Sequence, residues 1–128
     1  MIQTTFSTRL GKTTIAAAGL TESRAREEGF DVVIGQSETV NRHPGSLPDA
    51  QKTQVKLIFS ADSLVLLGGQ VAGGHEAGEL INLIALALQN RMTATQLETL
   101  QVATHPLLTP APTVYPLVTA AMKAIALA

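Results

Sequence analysis

The chain has no cysteine and no tryptophan. Without thiols it has no disulfide, no iron–sulfur cluster, no cysteine-based zinc site and no thiol nucleophile. One tyrosine and three phenylalanines are too few for a base-stacking platform. No Lys/Arg run reaches three and the net charge is −1, so the footprint of a nucleic-acid partner is missing. No apolar stretch approaches the roughly 18 residues that span a bilayer. Ile15–Leu20 is too short for a secretory signal, which makes a cytoplasmic protein without a membrane partner the expectation. Charge is scarce as well. Charged residues make up 15% of the chain, where ordinary domains carry about 25%. Such a surface implies that part of it is covered by a partner, and a homodimer is expected.

What is present is a 128-residue, 45% hydrophobic sequence, long enough for one domain with its own core. We read 1–128 as that single domain. Thr13–Ala18 reads as a strand. Thr21 caps a helix that Gly29 stops. Phe30–Ile34 is a strand running on toward Val40, and Asn41–Asp49, with Pro44, Gly45 and Pro48, is a loop. Val55–Phe59, a turn at Ser60–Ser63, then Leu64–Leu67 and Gln70–Ala72 read as a hairpin. Glu79–Gln89 is apolar nearly all round, the mark of a helix buried on more than one side, with Asn82 expected as a buried, hydrogen-bonded amide. Thr93 and Gln96 form a capping-box pattern for a further helix. After Pro116, a stripe of Val114, Leu117, Val118, Ala121, Met122 and Ile125 marks the last one. Strands and helices are thus segregated. The expected class is α+β: an antiparallel sheet of about four to five strands packed with about four helices.

Four stretches have a functional and a structural reading. Gly11-Lys12-Thr13 has the tail of a phosphate loop, but Phe6 stands where that loop needs its first glycine. Gly68-Gly69 through Gly73-Gly74 lacks dinucleotide-loop spacing and follows a hairpin strand, so close packing is the better reading. His75-Glu76-Ala77-Gly78-Glu79 lacks the second histidine of a zinc helix, and Glu76 and Glu79 are expected to complement a helix N-terminus. His43, His75 and His105 are remote from one another in sequence, so no metal site is expected. In Thr104-His105-Pro106-Leu107-Leu108-Thr109-Pro110 a histidine is fixed beside prolines, where it can serve proton transfer or structure. Pro106 is expected to hold His105 in an extended loop, outside the core.

Taken in order, these segments resemble a known family. Gly19-Leu20-Thr21-Glu22 with Gly29-Phe30-Asp31, His43-Pro44 through Pro48, Lys56–Phe59, Leu66–Gln70, Glu79–Asn82, Met92-Thr93 and His105-Pro106 are similar to the C-terminal dimerisation domain of FAD-dependent pyridine nucleotide–disulfide oxidoreductases. The similar branch is that of NADH oxidase and coenzyme A-disulfide reductase, and the resemblance spans about residues 15–125. It implies a longer parent enzyme using FAD and NAD(P)H, with neither bound by this chain alone. It further implies that the chain pairs subunits, is inactive in isolation, and contributes His105 and Pro106 to the partner's flavin site. In the glutathione-reductase branch a Glu five positions after the His orients the imidazole. Pro110 stands there, so that acid–base dyad is broken. The early loop also lacks the Tyr of coenzyme A-reducing enzymes, which favours an NADH oxidase-like or electron-transfer activity. Two other readings stay open: a standalone interaction or ligand-binding module on this fold, and a small enzyme with His105 as base.

Overall fold

A computed structural model describes residues 4–42 and 46–128. Its framework is one five-stranded antiparallel sheet of β1 (Thr5–Leu10), β2 (Thr13–Gly19), β3 (Val32–Val40), β4 (Lys52–Ser60) and β5 (Leu66–Gly73). The strands lie in the order β1-β2-β5-β4-β3. The helices are α1 (Glu22–Glu27), α2 (Ala77–Gln89), α3 (Ala94–Glu98) and α4 (Pro116–Leu127), with a single 3-10 turn at Pro112–Val114. This is the α+β class expected, at the upper end of the strand count.

Strand alternation sorts the side chains. Val55, Leu57 and Phe59 of β4 point into the core with Val71 of β5, where they meet Ile81 and Ile84 of α2 and Leu117 of α4. Burying a side chain of this size contributes about 1.5–3 kcal/mol. Lys56, one step out of phase, faces the other side of the sheet. Its Nζ lies 3.0 Å from Glu22 Oε1, which ties α1 to that side. On the core side, a Cβ on Gly35 of β3 would collide with the carbonyl oxygen of Ala120, so α4 lies directly on the strand. Ser37 Oγ donates a buried hydrogen bond of 3.0 Å to the Pro116 carbonyl and anchors the first turn of α4.

Several elements are where the sequence puts them. Thr21 caps α1, accepting the Arg24 N–H, and Gly29 follows the helix at a φ of 93°. Thr93 and Gln96 form the full capping box of α3. Others differ. The sequence reading places no strand before Thr13, whereas β1 occupies Thr5–Leu10 and every one of its residues is exposed. β3 begins at Val32 rather than Phe30, and β5 is one continuous strand. α2 is buried on one side only. Leu83 and Leu86 are 42% and 56% exposed, and Asn82 lies on the surface, its Nδ2 donating to Glu79 Oε2 at 3.4 Å. Asn82 follows the outward side of the helix, where a polar residue has no burial to compensate. The stripe of α4 is rotated too. Leu117, Ala120, Ala121 and Ala124 are buried while Met122 is 51% exposed, because the close approach at Gly35 admits only small side chains.

Candidate functional site

α3 is five residues long, and the chain then runs without regular structure to the 3-10 turn. His105 lies in this connection, exposed and outside the core. The segment is not extended, as the proline pattern suggests, but curls into a tight turn. The His105 carbonyl accepts the N–H groups of Leu108 at 3.0 Å and Thr109 at 2.9 Å. Pro106 causes this directly, since its fixed φ suits the second position of a turn. Thr109 closes the turn from the other side: its Oγ1 accepts the His105 N–H at 3.1 Å and lies 2.9 Å from the Pro110 carbonyl, to which it donates. Pro106 is exposed, and Pro110 is buried.

The imidazole has an orienting partner that sequence reading missed. His105 Nδ1 accepts the backbone N–H of Leu107 at 3.1 Å. A neutral imidazole with Nδ1 acting as acceptor carries its proton on Nε2. Nε2 is then the donor this loop offers outward. Among the described residues no carboxylate is hydrogen-bonded to the ring.

Two cavities flank the loop. One, of about 500 Å³, lies between α2 (buried Leu80 and the outward Leu83 and Leu86) and Leu108, Pro110 and Tyr115. Burial pushes the Tyr115 phenol above its usual range. The other, of about 620 Å³, is polar. The end of β1 and the turn after it (Arg9, Lys12), the β3–β4 loop (Arg42, Asp49), and the start of α2 (His75, Glu76) border it, with Leu107 and Leu108 opposite. Glu76 stands in the wall of both cavities. Burial alone would raise its carboxyl. Hydrogen bonds from Thr53, Asn41 and the backbone amides of Glu76 and Gly74 outweigh that and hold it below the ordinary 4.5. Glu76 therefore does more than complement the helix N-terminus.

The remaining motifs resolve as structure. Gly11-Lys12 is the two-residue turn of the β1–β2 hairpin, Gly11 taking a φ of 65° as such turns require. Gly68 and Gly69 lie within β5. A Cβ on Gly68 would collide with the Leu20 carbonyl oxygen, and one on Gly69 would sit 2.9 Å from Ile84 Cγ2, so both serve close packing. Around His75 and Glu79, as elsewhere among the described residues, no three potential metal ligands cluster. His43 and Pro44 lie outside the described residues. Among those described, no helix is long and apolar enough to cross a membrane.

Comparison with known proteins follows the same lines. Over 84 residues, 65% of this chain, it is 38% identical to the NADH oxidase of Mycoplasma genitalium. Over 93 residues, 72% of this chain, it is 39% identical to the dihydrolipoyl dehydrogenase of Mycobacterium tuberculosis. An NAD-dependent persulfide reductase from A. fulgidus superposes with a TM-score of 0.80 and 32% identity, covering 94% of this chain and 22% of that one. The chain spans only 17% and 19% of the length of those two sequence relatives. Residues 6–114, from β1 through the 3-10 turn, match the family model for the dimerisation domain of pyridine nucleotide-disulphide oxidoreductases, and the chain belongs to that family.

Proposed function

We propose that this chain is the single subunit-pairing domain of a longer FAD- and NAD(P)H-dependent oxidoreductase of the NADH oxidase type. It forms a homodimer and carries His105 and Pro106 to the flavin site of the partner subunit. The observation that carries this reading is the His105 turn: the ring is exposed, its Nδ1 is occupied by the Leu107 amide, and Nε2 is left as an outward donor. In such an enzyme the flavin supplies the hydride chemistry. This chain would hold a hydrogen-bond donor against it and exclude water with the neighbouring Leu107 and Leu108, both exposed here. The residues fit that limited part, because a donor fixed on a short turn needs no further scaffold. They do not supply a phosphate cradle, since the glycine-rich stretch is packed inside an antiparallel strand. The chain by itself is therefore read as inactive and as binding neither FAD nor NAD(P)H. Proton relay to a thiol is disfavoured by Pro110.

The apolar side chains exposed on α2 and in the 105–114 segment support pairing over an independent module, because that many together mark a covered surface. In a parent-length enzyme, His105→Ala is expected to slow flavin reduction or reoxidation by about tenfold or more, with the dimer mass unchanged by light scattering. Unaltered flavin kinetics would remove His105 from the site. The standalone ligand-binding reading has the 500 Å³ apolar cavity in its favour. It requires saturable uptake of a small apolar probe by the dimer, which a covered α2 face forbids.

A further inference from the structure

Asn41 closes the loop between β3 and β4. Its backbone N–H donates to the Gln51 carbonyl at 2.8 Å, and its side-chain Oδ1 accepts the Gln51 N–H at 2.8 Å. That second bond fixes which way the amide points, so Nδ2 must face away from Gln51. It donates to Glu76 Oε2 at 2.9 Å. The other oxygen, Oε1, accepts the Thr53 hydroxyl at 2.6 Å and the Gly74 N–H at 3.3 Å. Asn41 and Thr53 are both buried, the latter completely. At Gly74 a Cβ would lie 2.9 Å from Glu76 Oε2 and 3.0 Å from Asn41 Nδ2, so the cluster tolerates no side chain there.

Besides Glu76's own amide, three donors from three segments thus converge on two oxygens. Only an ionised carboxylate is acceptor-only at both. We infer that Glu76 is a positioning residue, whose carboxylate pins the base of the β3–β4 loop to β4 and the start of α2. The pin thereby fixes the wall of the polar cavity that faces Leu107 and Leu108. This inference is independent of the flavin reading, since it rests on the loop base alone. The charged groups around the same cavity are Arg9, Lys12, Arg42, Asp49, His75 and Glu79. Among the described residues none of their side chains is hydrogen-bonded to the Glu76 carboxylate or within ion-pair distance of it.

Donor counting sets the test. In Glu76→Gln the new amide can keep one oxygen for Thr53 and Gly74, but it then presents NH₂ to the NH₂ of Asn41. Asn41 cannot turn over without losing Gln51. The paired change Asn41→Asp with Glu76→Gln restores every bond: Asp accepts from Gln51 and from Gln, and Gln accepts from Thr53 and Gly74. Amide hydrogen exchange of the 128-residue chain at neutral pH reads this. Glu76→Gln is expected to raise exchange at the Gln51 amide by about tenfold, with core amides such as Leu57 and Val71 unchanged, and the double variant is expected to recover protection. Exchange at Gln51 within about twofold of wild type, an equal rise across the core, or no recovery in the double variant would each overturn the proposal. Should Glu76→Gln not fold, wild-type protein decides by pH. A carboxyl held lower in the fold than in the unfolded chain contributes its stability above the unfolded value. That contribution is lost as pH falls through the folded one. Gln51 protection should therefore hold down to about 4.5 and fall below it, ahead of the core amides. Loss of Gln51 and core protection together would refute the pin.

Discussion

At Gly68 and Gly78 the same residue stands under opposite constraints. A Cβ on Gly68 has the Leu20 carbonyl in its way, whereas one on Gly78, in the first turn of α2, meets no heavy atom within 4 Å. Gly68→Ala must push backbone from backbone and should cost about 3 kcal/mol. Gly78→Ala should stabilise by about 0.5–1 kcal/mol through helix propensity. Urea denaturation of both variants checks the pair, and a Gly68→Ala protein as stable as wild type would refute the close packing of β5 on the segment after β2. Legibility at this scale follows sequence distance. The loop position of His105 could be read because Pro106 adjoins it. Its ring partner could not, since a backbone N–H is carried by nearly every residue and leaves no trace in composition. Glu76 was visible only as a helix-start acid, because Asn41 and Thr53 lie 35 and 23 positions away.

Among the elements, α2 departs most from expectation. Its composition hides which leucines are inside, and only the fold shows Leu80, Ile81, Ile84 and Leu88 in the core with Leu83 and Leu86 outside. If that outer side is where two subunits meet, Leu83→Ser with Leu86→Ser should leave the core intact and dissociate the dimer. Light scattering should then give 13.4 kDa in place of twice that mass at micromolar concentration. A wild-type chain that is already monomeric there would dismiss the interface. Caps were the most legible features, at Thr21 and Thr93, because a cap needs only neighbours in sequence. β1 escaped notice because a strand exposed on both faces has no buried alternation to display. The α4 stripe was misjudged because Val118 and Met122 outweigh alanine in hydrophobicity, while the surface at Gly35 selects for size.

For the whole molecule, the class could be read from the segregation of strands and helices, and the β4–β5 hairpin from its turn at Ser60–Ser63. The insertion of β2 beside β5 could not, because pairing between strands so far apart in the chain leaves no local mark. That insertion divides the sheet by the order in which its parts can assemble. β3, β4 and β5 are consecutive and joined by connections of 11 and 5 residues, so their contacts close loops far smaller than that of β2 with β5. β2 pairs with β5 across on the order of fifty residues, and β1 is held to the sheet by β2 alone. The β3–β4–β5 meander should thus be structured in the folding transition state, with the β1–β2 hairpin docking after it. Val55→Ala in β4 should slow refolding. Ala18→Gly in β2 should chiefly quicken unfolding, with the refolding rate within about twofold of wild type. Stopped-flow chevrons of the two variants give the answer, and a reversed pattern would make the hairpin the nucleus.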